Sequence, residues 1–135
     1  NVLEEGEILV SLNFPVPQKN SGTHFLRFIP RNEMDIAVAN SAASVVLDDS
    51  KQKIVSARIA LGSVAPTVVM AKEAMTFLEG KDATEENCIA AGEAAKGAAV
   101  PISDMRGTIK QRTHLVGVLT KRALIKAIAR ARGEE

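Results

Sequence analysis

Apolar and polar residues alternate in the first half of the chain, which predicts β-strands there. Residues 8–14 have the period of two that is typical of a half-buried strand. The apolar positions on one face of this strand are Ile8, Val10, Leu12 and Phe14. Pro15 and Pro17 end the strand, because proline lacks the N–H that a sheet ladder needs. The polar residues 18–23 that follow, Gly22 among them, are predicted to form the most flexible loop.

Three further stretches are predicted to be strands, namely residues 24–29, 36–47 and 54–61. In the last stretch one face is predicted to hold Val55, Ala57, Ile59 and Leu61. Residues 36–47 are apolar on both faces, and their alanines make a helix a competing interpretation. The pair Val45-Val46 and the hairpin-like residues 48–51 favour a strand. We expect its small side chains to let a helix backbone approach the sheet closely.

Apolar positions change to helical spacing in the second half of the chain. The predicted helices are residues 68–79, 84–99 and 113–132, and residues 101–111 are a polar connection. Thr67 and Thr84 are the candidate N-caps of the first two helices, and Gly80 is placed to end the first. Strands followed by helices predict an α+β fold, with an antiparallel sheet of three to four strands and three helices packed on one face.

The 135 residues fit a single domain. Residues 1–20 are predicted to be a linker and first strand, residues 24–63 the sheet, and residues 67–132 the three helices. The opening residues resemble the middle of a sequence, so we expect the chain to be a fragment of a longer protein.

The charge is balanced, with 17 Lys and Arg against 16 Asp and Glu, so no overall field attracts nucleic acid. Four Phe with no Tyr or Trp argue against a base-stacking surface. No apolar run reaches the roughly 20 residues that a membrane span needs. One cysteine fits a reducing, cytoplasmic setting, which is the localisation we expect.

Residues with catalytic or metal-binding chemistry are few. Cys88 lies in an Ala-rich helical pattern and is expected to be a buried, inert thiol. His114 is expected at the surface or at a helix cap, and His24 is not expected to be a ligand. No acid, base and nucleophile form a recognisable set, which argues against a free-standing enzyme and predicts no metal site.

No glycine-rich phosphate loop is present, because the nine glycines are scattered and match neither of the nucleotide-binding patterns. Gly92 and Gly97 are interpreted instead as close-packing positions within the second helix. We therefore do not expect this chain by itself to bind a nucleotide.

The last helix is basic on its outer side and at its carboxyl end. Its cations are Lys121, Arg122, Lys126, Arg130 and Arg132. Such a face can contact nucleic acid, but no aromatic residue is interleaved with these cations. A solvated helix with cations that complement its macrodipole is the favoured interpretation.

A charged turn joins the second and third predicted strands. Arg31 and Asp35 are four residues apart beside Pro30, so a local ion pair or backbone hydrogen bonds can lock this turn.

Three sequence blocks resemble one known family. They are FLRFIPRNEMDIAVANSAASVVLD, ARIALGSVAPT, and PISDMRGT with the following RTHLVGVLTKRAL. Together they are similar to the C-terminal domain of the FAD-binding medium subunit of the molybdenum hydroxylases, the carbon monoxide dehydrogenase and xanthine dehydrogenase family. The similarity extends from Gly6 to about Ala127, with the blocks in order.

The resemblance implies a role within a larger oxidoreductase. In such enzymes a molybdopterin subunit oxidises the substrate, iron–sulfur clusters pass the electrons on, and the FAD of the medium subunit delivers them to an acceptor. The family's main FAD-binding domains are N-terminal to this one, so FAD is implied for the full-length subunit rather than for this chain alone. The implied partners are those domains and the molybdopterin and iron–sulfur subunits.

The resemblance also suggests two cofactor-binding residues, Arg27 and Arg31, near the flavin. In the xanthine dehydrogenase branch, a lysine at the position of Arg27 approaches the flavin ring. Met34 stands where that branch has an acidic residue. A non-catalytic domain of an FAD subunit is thus the first hypothesis, and a stand-alone interaction or dimerisation module is the alternative.

Overall fold

The computed structural model describes residues 3–32 and 35–134, and it contains one four-stranded antiparallel sheet. The sheet order follows the sequence. The strands are β1 (Ser21–Phe28), β2 (Ala39–Leu47), β3 (Ile54–Gly62) and β4 (Val69–Met70). The helices are α1 (Lys72–Leu78), α2 (Glu85–Ala95), a 3₁₀ turn (Lys96–Ala98) and α3 (Ile109–Arg132). The predicted α+β fold with three helices on one face of an antiparallel sheet is confirmed.

The inner face of β2 explains how α3 packs so close to the sheet. Its inward side chains are Ala39, Ser41, Ala43, Val45 and Leu47, all buried. Three of these five side chains are no larger than serine, so the expected close approach of a helix is confirmed. The hydroxyl of Ser41 lies 3.0 Å from that of Thr120 in α3, and this hydrogen bond satisfies both buried groups.

β1 begins at Ser21, inside the loop that was predicted to be flexible. Gly22 is buried there, and a Cβ on it would overlap the carbonyl oxygen of Ala127 in α3. The flexible-loop prediction is wrong for residues 21–23, because a glycine that permits close backbone packing has the same local sequence as a glycine in a loop.

The strand predicted for residues 8–14 is wrong. Among the described residues, no strand precedes β1, and this segment is exposed along its whole length. The side chains of Ile8, Val10 and Phe14 are 80%, 86% and 85% exposed to solvent. The alternation indicates that one face of this segment can pack on an apolar surface. It does not indicate whether that surface belongs to this domain.

A β-bulge at Val55, in the ladder between β2 and β3, changes the face assignment in β3. The register shifts between Val46 and Leu47, so that Ser56 pairs with the first and Ile54 with the second. Ile54 is therefore buried and Val55 is 58% exposed, the reverse of the prediction, whereas Ala57, Ile59 and Leu61 face the core as expected. One extra residue in a ladder shifts the alternation by one position.

The first predicted helix, residues 68–79, starts later than expected because β4 forms first. Val69 pairs with Leu61 at the free edge of β3, and α1 begins only at Lys72. Thr67 is therefore not its cap, and the N-cap position, Ala71, makes no side-chain hydrogen bond. The open edge of β3 satisfies the backbone groups of Val69 and Met70, and the β-branched Val69 suits a strand.

The two long helices are anchored by their caps and by one glycine contact. Thr84 accepts from the N–H of Asn87, as predicted, and α2 packs through Gly92 against Gly117 of α3. A Cβ on Gly92 would lie 2.6 Å from the carbonyl oxygen of Gly117, so this close-packing prediction is confirmed. Gly97 is exposed with ordinary spacing around it, so the same prediction is wrong there.

Candidate functional site

The outer face of the sheet, opposite the three helices, is left uncovered by the fold. The strand register places Phe25, Ala42, Ala60 and Met70 in one row across all four strands. The two alanines form the floor of a shallow trough between the larger side chains, which are 55% and 38% exposed. The trough has a volume of about 430 Å³. At about 4.8 Å per strand its two walls stand about 14 Å apart.

The charges on this outer face are all positive. Arg27 lies beyond Phe25 on β1 and is paired across the ladder with Asn40. Arg58 lies on β3 opposite Ser44, on the other side of the trough. Among the described strand residues of this face there is no Asp or Glu. The face therefore combines small apolar side chains with two cations, which suits a flat partner that carries negative charge.

Arg31 lies in the turn that follows β1. Its backbone N–H donates to a carboxylate oxygen of Asp35 at 2.8 Å, and its Nε lies 3.7 Å from the same oxygen. The predicted locking of this turn by a local ion pair and hydrogen bonds is confirmed. The N–H of Val38 donates to the carbonyl of Phe28 at 2.9 Å and closes the base of the loop. Met34 lies outside the described residues.

Both candidate residues thus belong to the β1–β2 hairpin. Arg27 is exposed on the outer face of β1, and Arg31 is exposed in the turn four residues later. The hairpin fixes the base of this turn, so the two guanidinium groups are held at the same end of the sheet.

Arg112 is a buried cation that the sequence analysis missed. It is 5% exposed, and its Nη1 donates to the carbonyls of Val38 and Ser63 at 2.7 and 3.1 Å. Its Nη2 donates to both oxygens of Asp104 at 2.8 Å. One side chain therefore joins the start of β2, the end of β3 and the connection before α3. Arg112 lies four residues before Val116, so the two residues share the buried face of α3. This helical spacing is the sequence signal that could have revealed Arg112.

The Arg112 guanidinium also holds the pKa of Asp104 below its usual value, and the N–H groups of Arg106 and Gly107 add to the effect. The same connection supplies the cap of α3, because Thr108 accepts from the N–H of Gln111 at 3.1 Å. The helix consequently starts at Ile109, four residues before the predicted start. The Thr-x-x-Gln spacing is a capping signal that the sequence already contained.

The other candidate chemistry lies away from the outer face or is inert. Cys88 is 1% exposed, and burial raises the pKa of its thiol to about 11. His114 is exposed on α3, as predicted. No group of three or more His, Cys, Asp or Glu side chains that could hold a metal ion occurs within residues 3–32 and 35–134.

Three of the five cations named on α3 bond to other elements of the domain. Lys121 pairs with Glu85 of α2 at 2.8 Å, and Arg130 donates to the carbonyl of Thr23 at 2.7 Å. Arg132 donates to the carbonyls of Ala83 and Lys51. These bonds fasten α3 to neighbouring elements, which favours the structural interpretation of its basic side over nucleic-acid binding.

Comparison with known proteins gives this architecture a family. Residues 24–127 match the model of the CO dehydrogenase flavoprotein C-terminal domain. The chain belongs to this family. Its members include medium chains of carbon monoxide dehydrogenase and FAD-binding subunits of xanthine dehydrogenase.

Individual relatives agree with the assignment. The carbon monoxide dehydrogenase medium chain of Afipia carboxidovorans is 37% identical over 130 residues, which are 96% of this chain and 44% of that protein. The xanthine dehydrogenase FAD-binding subunit of Escherichia coli O157:H7 is 29% identical over 133 residues, 98% of this chain and 45% of that protein.

Solved structures show the same fold. The carbon monoxide dehydrogenase of Hydrogenophaga pseudoflava, in a form lacking the Mo-pyranopterin moiety of its molybdenum cofactor, superimposes with a TM-score of 0.89 and 33% identity. That match covers 96% of this chain and 44% of the other. The chain therefore spans less than half the length of these relatives. Within its described part, no helix is long and apolar enough to cross a membrane.

Proposed function

We propose that this domain forms one wall of the flavin site in a longer FAD-binding subunit of a molybdenum hydroxylase. The observation that carries the proposal is the outer face, where a trough of small side chains lies beside an exposed arginine on a sheet otherwise covered by helices. Arg27 and Arg31 are the residues that we assign to the neighbourhood of the flavin. The relatives' names as FAD-binding and medium subunits support this choice of ligand.

The residues fit one part of FAD and not another. Alanine side chains between Phe25 and Met70 leave room for the edge of a flat ring system. Arg27 supplies a positive charge in the next row along β1, and Arg58 lines the opposite side of the trough. The phosphates need backbone N–H groups presented by open glycines. Protein atoms already occupy the space beside the closely packed glycines. The neighbours are Ala127 for Gly22, Asn40 for Gly62, Gly117 for Gly92 and Gln111 for Gly107. We therefore assign the pyrophosphate and adenine to the portion of the subunit outside this chain.

In this proposal the FAD supplies electron transfer between iron–sulfur clusters and an acceptor, and this chain supplies shape and charge. The trough excludes water from the covered side of the ring. Arg27 offsets negative charge that develops nearby, an effect that a low-dielectric interface strengthens. The partners we propose are the FAD-binding domains of the same subunit, and molybdopterin and iron–sulfur subunits in the assembled enzyme.

The test is the midpoint reduction potential of FAD in the full-length subunit. A cation beside the flavin favours its reduced, anionic form, so we expect Arg27→Ala to lower the potential by on the order of 30 mV, or about 1.4 kcal/mol for a two-electron couple. Arg31→Ala should lower it less, because its guanidinium is 72% exposed and faces Asp35.

Arg122→Ala is the control. Arg122 is exposed on α3, which packs on the opposite face of the sheet, so we expect little change in potential for this variant. Arg58 lines the trough on the side away from Arg27, so Arg58→Ala should also lower the potential. A potential that does not respond to Arg27→Ala, or that responds equally to Arg122→Ala, contradicts the assignment.

The isolated chain provides a second check. We expect it to leave the absorbance and fluorescence of micromolar FAD unchanged, because it lacks a phosphate site. Tight binding of FAD by this chain alone would contradict the assignment of the pyrophosphate and adenine to the rest of the subunit. A stand-alone interaction module, the alternative function, predicts a native protein without FAD.

A further inference from the structure

A cluster of exposed apolar side chains in residues 8–16 precedes the sheet. Their exposed fractions are 80% for Ile8, 66% for Leu9, 86% for Val10, 68% for Leu12, 85% for Phe14 and 89% for Val16. Scattered apolar residues at a surface need no explanation, but a contiguous patch of this kind marks a contact with something else. The period of two over residues 8–14 further indicates that the contact is made by an extended strand.

The domain itself does not offer this strand a place. The inner face of the sheet is filled by the helices, and the free edge of β1 is occupied at Thr23, whose carbonyl accepts from Arg130 of α3. A strand added at that edge would have to displace this bond.

The path of the chain points to the outer face. Pro15, Val16 and Pro17 line a cavity of about 560 Å³ together with Ser44 and Val46 of β2. Residues 15–17 therefore lie on the side of the sheet that carries the trough.

The comparisons place the segment in the longer relatives. The family match begins at residue 24, so residues 8–14 are outside the domain model. Alignment with the E. coli FAD-binding subunit nevertheless covers 98% of this chain, which leaves too few residues unmatched for the segment to be missing from it. A stretch shared with longer subunits but outside the C-terminal domain belongs with the portion that precedes it.

We propose that residues 8–14 add as a strand to the edge of a sheet in the FAD-binding portion of the full-length subunit, an inference that rests on the proposed function. Ile8, Val10, Leu12 and Phe14 then face the apolar core of that portion. Backbone hydrogen bonds supply the attachment, and the alternate side chains fix the register. Pro15 and Pro17 end the ladder, so residues 15–18 are the true boundary between the two portions.

Hydrogen exchange is the direct measurement. We expect the amides of residues 9–13 to exchange at least a hundredfold more slowly in the full-length subunit than in the 135-residue chain. Equal exchange in the two proteins overturns the proposal. Protection in the 135-residue chain that grows with its concentration assigns the strand to a second copy, and also overturns it.

Two matched double variants test the face. Val10→Asp with Leu12→Asp places charge on the apolar face, whereas Ser11→Asp with Asn13→Asp places the same charge on the other face. In the full-length subunit the first pair should abolish the protection, and the second should retain most of it. In the 135-residue chain neither pair should change the melting temperature, because these side chains are exposed. Identical behaviour of the two pairs in the subunit overturns the proposed orientation of the strand.

The outcomes separate this inference from the proposed function. If Arg27→Ala lowers the FAD potential but the amides of residues 9–13 exchange rapidly in the subunit, only this inference is overturned. A subunit that protects these residues but does not respond to Arg27→Ala overturns the role assigned to the outer face and leaves the added strand standing.

Discussion

Gly22 in β1 lies directly against the carbonyl oxygen of Ala127 in α3, with no room between them for a Cβ atom. The backbone nitrogen of Ala131 would also lie only 2.5 Å from such a Cβ. Both neighbours are backbone atoms of a long helix, which cannot move aside as a side chain can. This contact sets how closely α3 lies over the edge strand.

Gly22→Ala should therefore be strongly destabilising. We expect the free energy of unfolding to fall by about 3 kcal/mol, at the upper end for overpacking of a close-packed site. Urea denaturation of the 135-residue chain measures it. Thr23→Ala, at the adjacent exposed position, is the control and should cost less than about 1 kcal/mol. Similar losses for the two variants would show that β1 does not depend on this contact.

Gly92 should behave in the same way at the contact between α2 and α3. A Cβ would lie 2.6 Å from the carbonyl oxygen of Gly117, so Gly92→Ala should lower the melting temperature despite the better helix propensity of alanine. Gly97→Ala is the matched control. Gly97 is the middle residue of the 3₁₀ turn after α2, and a Cβ there would lie 3.6 Å from Oε2 of Glu73. We expect a change within about 1 kcal/mol of zero for the control.

Arg112 should be the most costly charged residue to replace. Arg112→Met removes a cation that binds two carbonyl groups and Asp104, and leaves these acceptors without their donor. We expect a loss of about 3 kcal/mol in the free energy of unfolding. Arg106→Met, an exposed position in the same connection, should change it by less than about 0.5 kcal/mol. A mild effect of Arg112→Met would refute the view that this residue joins three segments.

The stability should fall in acid because two carboxyl groups have lowered pKa values. Arg112 lowers the pKa of Asp104, and Ser50 with the N–H of Lys53 lowers that of Asp48. A lowered pKa in the folded state contributes stability above the unfolded value of about 3.9, and this contribution is lost as the pH falls through the folded value. Asp104→Asn should thus lower stability near neutral pH and flatten its dependence below pH 4. Melting curves between pH 2 and pH 7 measure both effects, and an unchanged acid dependence would contradict the assignment.

The sequence predicted the elements whose patterns are local. β3 alternates clearly, and the pair Val45-Val46 with the hairpin-like residues 48–51 favours a strand for β2. The small side chains of β2 indicate a closely packed helix, and Thr84 marks the start of α2. The Thr108 cap was equally local, since Gln111 follows at capping distance, and its signal was overlooked.

The remaining differences arise from contacts that no local pattern contains. Gly22 is buried by a helix a hundred residues later, and Val69–Met70 is a strand only because the edge of β3 is open. The bulge at Val55 reverses the faces predicted for Ile54 and Val55, and no local pattern in the sequence marks it. Residues 8–14 alternate as a strand does, but the surface that suits them lies outside this domain.

The charged turn before β2, which contains Arg31 and Asp35, could be located from the sequence. The role assigned to it depends on the resemblance to the family. The structure holds the turn through Asp35 and leaves Arg27 exposed beside the trough. These observations support the flavin assignment, because an exposed cation on an uncovered face is not needed for the fold.

The native polypeptide tests the central claim most directly. Intact-mass spectrometry of the protein purified from its source, with its absorbance spectrum, reports chain length and flavin together. The account predicts a polypeptide more than twice as long as this chain, as in the relatives that it covers to 44%, with FAD bound in stoichiometric amount. A native polypeptide of 135 residues without FAD would contradict it.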